Sequence, residues 1–410
     1  MTQDIPTLKY TKIDPASASI EEIEAEIARL DNLANFYNGQ QMAFKEFMNS
    51  IYGATASIYF ICYNVKISEA ITLQAQSVNK FAATLFRNYV NKLWHKDTAM
   101  HKHFGYEGPV QPVTEDPVTY GDTDSVYIEF KHLIYSINYK GDYTEFVLDL
   151  YKRRIKDYIE KAYQKYSDNA GTPNIQALEL EKISRSMLLL SKKKYALDVT
   201  WEEPNIFHKS LTKISDTGIE TRQASTPVFA RKHLFDILYM VLDKKHDLDM
   251  RVLVKKLKSL KEGFKMEDID NISWSKSITD YDKFVIDDKK ELKYDEELYA
   301  IKGGKSRKRT VPIHVRAAAT YNHKLHTSKY RNKYHTIKSG TKVKYYYCIG
   351  DSKSDNVFGY EPGVYPYELG VPVDWNTQFS KTFLDAVNRF VMAMGRSQIP
   401  ASLVADKKLF

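Results

Sequence analysis

The chain has 410 residues, with 60 Lys and Arg against 52 Asp and Glu and a net charge of +8. It is long enough for two or three domains with a sizeable core, and its basic balance favours a polyanionic partner. Only two cysteines occur, Cys62 and Cys348, far apart and without metal-ligand spacing, which excludes a disulfide framework and suits a reducing compartment. No apolar run approaches the roughly 18 residues of a membrane span and no signal peptide opens the sequence, so neither a membrane nor a secreted protein is expected.

After a polar, proline-containing lead, Ser19 and Glu22 make a capping box that predicts a helix from about Ile20. Within it, QMAFKEFMNSIYG places Gln41, Lys45, Asn49 and Tyr52 at spacings of four, four and three, one polar stripe on a helix. Met42, Phe44, Phe47, Met48 and Ile51 cover the remaining surface, so the helix reads as buried. A lysine that reaches a phosphate, with amides and a phenol beside it, suits a nucleotide, and an incidental polar seam fits the same pattern. Helical character continues from Ala70 to Leu93, with Ala75, Val78, Phe81, Ala82, Leu85 and Phe86 on one face. The segment from Trp94 to Pro117 holds His95, His101 and His103 without a fourth zinc ligand at suitable spacing, and is predicted to be a surface loop.

Next comes Tyr120-Gly121-Asp122-Thr123-Asp124-Ser125, flanked by Val118, Val126, Tyr127 and Ile128. Strand-forming residues on both sides put Asp122 and Asp124 on a rigid strand or hairpin, where alternation brings both carboxylates to one face and a divalent cation relieves their repulsion. The pairs Asp247 and Asp249, Asp268 and Asp270, and Asp280 and Asp282 lie in charged surroundings and read as solvated acids. A helix is predicted near Thr144 to Ser167, then a strand with alternating acids at Glu179-Leu180-Glu181-Lys182. Lys192-Lys193-Lys194-Tyr195 fits either a solvated turn or a nucleic-acid grip.

Thr226 is expected to cap, and Pro227 to open, a helix through Leu242. A second, from about Asp249 to Lys261, sets Leu253, Leu257 and Leu260 opposite Lys255, Lys256, Lys258 and Lys261, a basic face for phosphates or for solvent. Gly303 to Arg309, with Lys305, Arg307 and Lys308, reads as a flexible basic loop. A last helix runs from about Phe379 to Met394 and stops at Gly395; beyond it, Arg396 to Phe410 has too few apolar residues to pack a further element. Most of the 30 tyrosines are expected to serve packing.

Three of these segments, in this order, resemble the family B DNA polymerases. Lys45, Asn49, Ser50, Tyr52 and Gly53 look like that family's motif B, and Tyr120 to Ser125 like its motif C. Lys193-Lys194-Tyr195 resembles the lysine-rich motif that grips the primer, with Lys194 where arginine is common. Gly218-Ile219-Glu220-Thr221-Arg222 with Ser225-Thr226-Pro227 is similar to the palm-to-thumb passage of tailed-phage replicative polymerases. Pro312 to Arg316 with Thr320-Tyr321 resembles a thumb segment of the same group.

The resemblance implies an α+β right-hand fold: an antiparallel palm sheet backed by helices, a partial fingers helix and a mostly helical thumb. It divides the chain into an extension (1–19), partial fingers (20–57), palm (58–217), thumb (218–395) and tail (396–410). The implied chemistry is nucleotidyl transfer to a primer 3′-hydroxyl with two magnesium ions, manganese being an alternative, held by Asp124, with Asp122 and Glu181 as further acids. Lys45 would meet the triphosphate of a dNTP, Asn49, Tyr52 and Gly53 would complete the nucleotide site, and Lys193, Lys194 and Tyr195 would follow primer-template DNA.

No Asp-x-x-Ser-Leu-Tyr-Pro sequence of motif A is present, nor are the exonuclease carboxylates. The expectation is a split enzyme in the cytoplasm, that of a host if phage-encoded, whose amino-terminal partner carries motif A and proofreading; a truncated piece is the competing explanation. Leu403, Leu409 and Phe410 are similar to the terminal peptide with which tailed-phage polymerases bind a sliding clamp. A non-catalytic DNA-binding or processivity subunit is disfavoured by the intact Asp122, Asp124 and Lys45, and an unrelated metal-dependent nucleotidyltransferase by the order of motifs.

Overall fold

The computed structural model describes residues 11–14, 17–122, 124–203, 206–207, 213–243, 248–286, 291–292, 299–302, 305–308, 311–350 and 356–405. They fall into two units, one reaching to His101 and including Glu107–Ile137, the other formed by Lys102–Tyr106 and Asn138 onward.

The first unit opens with α1 (Ile20–Thr55), a helix of 36 residues. Its capping box forms as predicted: the Ser19 amide donates to Glu22 at 2.8 Å and the Glu22 amide donates to the Ser19 hydroxyl at 3.3 Å. One turn on, Glu26 accepts from the Lys12 amide and from the Arg29 guanidinium, each at 2.7 Å. These bonds, the Arg29 one foremost, hold the Glu26 carboxyl at about 2, below its ordinary 4.5. A depressed carboxyl stabilises the folded form above its ordinary pKa, and that contribution is lost as pH falls from 4.5 towards 2. Acid unfolding of the wild type should therefore include a step in this window that Glu26→Gln lacks. Matching profiles for the two proteins would show that the carboxylate is not the tie.

Contrary to the buried reading, α1 lies open. Met42, Phe44, Phe47, Met48 and Ile51 are all exposed, Phe44 at 71%. Apolar residues on every side of a helix announce burial only if something packs there; among the described residues of this unit α2 (Val65–Asn88) joins the far end of α1, through Tyr52 Oη to Thr72 Oγ1 at 2.7 Å and Thr55 Oγ1 to Ser68 Oγ at 2.6 Å. The α2 face predicted from periodicity is present, with Ala82, Leu85 and Phe86 buried.

A π turn (Tyr89–Leu93), a 3-10 turn (Trp94–Lys96) and α3 (Thr98–His103) follow, so the first part of the predicted loop is helical, while residues 104–117 are irregular and mostly exposed as expected. Trp94, Met100 and His101 are buried, and the His101 ring meets Trp94 edge-on at 4.7 Å. Burial lowers the His101 pKa, as suits a neutral core histidine. Two strands, β1 (Val118–Asp122) and β2 (Ser125–Ile128), form an antiparallel hairpin on α2. The unit ends with α4 (Lys131–Ser136), pinned by the Trp94 indole N–H donating to Ser136 at 2.9 Å.

In the second unit, α5 (Tyr143–Leu150) and α6 (Lys156–Asn169) are joined by a π turn. Then β3 (Lys182–Ser191) pairs with β4 (Lys194–Glu202), whose other edge carries β5 (Ile206–Phe207) and β6 (Ile214–Thr217). Glu179 to Glu181 precede β3 instead of forming it. Helices α7 (Val228–Leu242), α8 (Met250–Lys265) and α9 (Ile269–Ile272) lead to β7 (Trp274–Ser277).

Two short ladders follow, β8 (Val285–Ile286) with β9 (Glu291–Leu292) and β10 (Tyr299–Lys302) with β11 (Lys305–Lys308). The described part of the predicted basic loop is therefore strand. Next, α10 (Ile313–Thr327) backs a sheet of β13 (Val357–Tyr360), β12 (Lys342–Tyr347) and β7. They approach so closely that a Cβ on Gly359 would lie 3.0 Å from the Ala317 carbonyl. The chain closes with α11 (Trp375–Phe379), α12 (Asp385–Ala393) and α13 (Ala401–Val404), Gly395 turning the backbone at φ 74. All strand pairings among the described residues are antiparallel, an α+β fold, and one core joins Leu234, Leu257, Phe264, Phe358, Phe383 and Phe390.

Several local expectations change here. Pro227, not Thr226, takes the N-cap position of α7, because its own backbone is extended; the Thr226 hydroxyl is buried with no hydrogen-bond partner among the described residues. Lys261 follows Leu253 and Leu257 at intervals of four and so falls on the inner face, where its ammonium donates to the Val404 carbonyl at 3.0 Å and to Asn376. Asp270 accepts from Tyr360 Oη at 2.7 Å and pairs with Lys344 at 3.2 Å instead of being simply solvated. Ile399 and Val404 are buried, so the tail does pack a further element; Leu403 is exposed, and Leu409 and Phe410 lie outside the described residues, as does Asp247.

Candidate functional site

The hairpin turn is built by its neighbours. Asp122 pairs with Ser125 across the strands, and Asp124, in the turn before Ser125, is exposed. The alternation expected of an extended strand thus does not govern the pair: Asp122 ends β1, and Asp124 has left the sheet. Asn79, from α2, donates to the Ser125 carbonyl at 3.0 Å and also to the Asp122 carbonyl, bridging the two ends of the turn. A lone amide on the apolar face of α2 was the signal for this residue, and sequence reasoning passed over it. Tyr120 Oη donates to Asp122 Oδ2 at 3.4 Å, and the Tyr120 and Tyr127 rings meet across the strands, tilted, at 5.4 Å.

Two carboxylates on a pinned turn are hard oxygen donors of the kind magnesium or manganese takes. Among the described residues no group of three or more acidic, His or Cys side chains gathers to hold a metal. The pair fits part of a cation site and leaves the remaining ligands to come from elsewhere.

Lys45, Asn49, Tyr52 and Gly53 all stand on α1, exposed, with Tyr52 tied to Thr72. Lys193 lies in the turn from β3 to β4, and Lys194 and Tyr195 open β4, in the other unit. Lys193 holds φ at 60 and Gly218 at 64, and a Cβ on Gly218 would fall 2.1 Å from the Lys193 carbonyl oxygen. Only glycine admits that approach. Tyr195 pairs with Thr217 on β6, so the segment entering Gly218 braces the lysine turn from below. Glu181 stands just before β3, the whole ten-residue strand away from that turn, with its carbonyl accepting from the Glu203 amide at 2.9 Å.

The carboxylate turn and α1 lie in one unit and the lysine turn in the other, and comparison with known proteins supplies the family. The profile of DNA polymerase family B matches residues 21–356, and the chain belongs to that family. It is 27% identical over 232 residues to a DNA-directed DNA polymerase of Enterobacteria phage T4, covering 53% of this chain and 24% of the relative. It is 24% identical over 214 residues to the DNA-directed DNA polymerase of Escherichia phage RB69, covering 49% and 22%. To a DNA polymerase delta catalytic subunit of Glycine max it is 27% identical over 207 residues, covering 50% and 15%. The chain thus spans a quarter or less of the length of these relatives. No helix among the described residues is long and apolar enough to cross a membrane.

Proposed function

We propose that this chain carries the motif B, motif C and primer-gripping parts of a DNA-directed DNA polymerase that extends a primer 3′-hydroxyl with dNTPs. The observation that carries the reading is the Asp122–Asp124 turn held by Asn79, in a family B chain. Bound magnesium would supply Lewis-acid activation of the hydroxyl and stabilise charge on the triphosphate. Asp124 in the turn and Asp122 at the strand end would hold it, with Glu181 a further palm acid. Lys45, an exposed cation on α1, would bind triphosphate oxygens, while Asn49 would keep the helix in its closed geometry and Tyr52 and Gly53 would lie against the nascent pair. Lys193, Lys194 and Tyr195 would grip the primer backbone without reading sequence.

In this reading two carboxylates do not complete a two-metal site, and a motif A aspartate, which the sequence lacks, would be supplied by an amino-terminal partner of a split enzyme. The tail would offer Leu403, Leu409 and Phe410 to a sliding clamp.

Primer extension tests this. The purified chain is expected to give no product, and adding a polypeptide that bears motif A to restore synthesis. Extension by the chain alone, with no second protein visible by mass spectrometry, overturns the divided site. In the reconstituted enzyme, Lys45→Ala should raise the apparent dNTP requirement about tenfold or more, and Lys193→Ala should weaken primer-template binding across all sequences. A dNTP affinity untouched by Lys45→Ala removes that role.

A further inference from the structure

We infer that Arg389, on α12, joins the lysine turn in contacting the nucleic-acid backbone, and that Glu220 is the positioning residue that sets it there. This rests on the nucleic-acid reading above. Glu220 lies two residues beyond Gly218, in the segment that braces the turn, and its side chain is 10% exposed. Its Oε1 accepts from Arg389 Nη2 at 2.7 Å and stands 3.9 Å from Lys194 Nζ. Its Oε2 is buried without a hydrogen-bond partner among the described residues. One carboxylate therefore gathers a lysine from the start of β4 and an arginine 169 residues further along than itself.

The arrangement differs from an ordinary ion pair in two respects. Both cationic side chains remain well exposed, Lys194 at 40% and Arg389 at 45%, so their heads face solvent while the anion between them is covered. Two cations on one carboxylate also leave an excess positive charge, added to that of the exposed Lys192 and Lys193 on the same turn. Half-exposed pairs add little to stability, so holding the fold together is a poor account of three charges placed this way.

Guanidinium chemistry supplies a better one. Arg carries five N–H donors in a planar fork, and the Glu220 bond occupies one, leaving others to bind a phosphate in the same plane. Anchoring the fork also removes rotamer freedom before the ligand arrives, which lessens the ordering cost of binding. Lys194 at the long 3.9 Å is held by charge attraction alone and can swing towards a phosphate.

The test is primer-template binding by the full chain across a salt series. Arg389→Ala should weaken binding about fivefold at low salt and make the slope of log affinity against log salt shallower by about one, the signature of one lost phosphate contact. Unchanged affinity and slope overturn the contact. If the alanine variant melts early, Arg389→Gln, which keeps a donor for Glu220 but no charge, gives the same readout. Glu220→Gln should alter wild-type binding and lose most of that effect in an Arg389→Ala background, because it acts through the arginine; additive effects overturn the positioning role. Lys193→Ala separates the two levels: if it lowers the slope while Arg389→Ala does not, only this inference fails, and if the wild type shows no salt-dependent binding, the nucleic-acid reading fails with it.

Discussion

Asp124→Asn in the assembled polymerase should slow single-turnover extension on the order of a thousandfold, about 4 kcal/mol of transition-state stabilisation, while primer-template binding changes little. The side chain stands exposed on a turn that Asn79 holds from α2, so exchanging oxygen for nitrogen leaves the hairpin intact and removes only charge. Asp268 is the matched control. It precedes α9 without a side-chain capping bond, and Asp268→Asn should leave the rate within about twofold. Similar mild effects from both substitutions would show that Asp124 is not part of the reaction centre. Asn79→Ala provides a check on the support: it should lower activity with Asp124 still in place, because the turn loses the donor that bridges its ends.

The second large effect belongs to Gly218→Ala. Gly171 and Gly218 share φ 64, but a Cβ on Gly171 meets nothing within 4 Å, whereas on Gly218 it would meet the Lys193 carbonyl at 2.1 Å. Gly171→Ala should cost about 1 kcal/mol, the ordinary penalty of a left-handed backbone for an L-residue. Gly218→Ala should cost about 3 kcal/mol or more, because a backbone atom has to move as well. The displaced turn carries Lys193 and Lys194, so primer-template affinity should fall together with stability. Equal unfolding midpoints for the two variants in denaturant would refute the brace.

What the sequence made legible was local. The Ser19 and Glu22 spacing, the α2 periodicity and the strand residues around Gly121 each depend on near neighbours, and each formed. Motif order carried the family. What stayed hidden depends on partners distant along the chain: Asn79 meets carbonyls more than forty residues later, and Glu220 meets Arg389 across 169. Lys261 shows the same limit from the other side. Its charge suggested solvent, yet its place in the period that carries Leu253 and Leu257 put it inside, where carbonyl oxygens from Val404 and Asn376 receive it. Likewise Met42 to Ile51 revealed apolar composition but not whether anything lies over it.

That uncovered helix, with the turn that follows it, has a thermodynamic consequence. Tyr59 is 93% exposed and Ile61 96%, in a region that also leaves Phe36, Phe47 and Met48 in water. Each buried Å² of such surface is worth about 25 cal/mol, so any body that covers it shifts the unfolding equilibrium by mass action. A separate body that lay on α1 would make the melting temperature of this unit depend on its concentration, and a titration curve, not a single number, would then describe the stability.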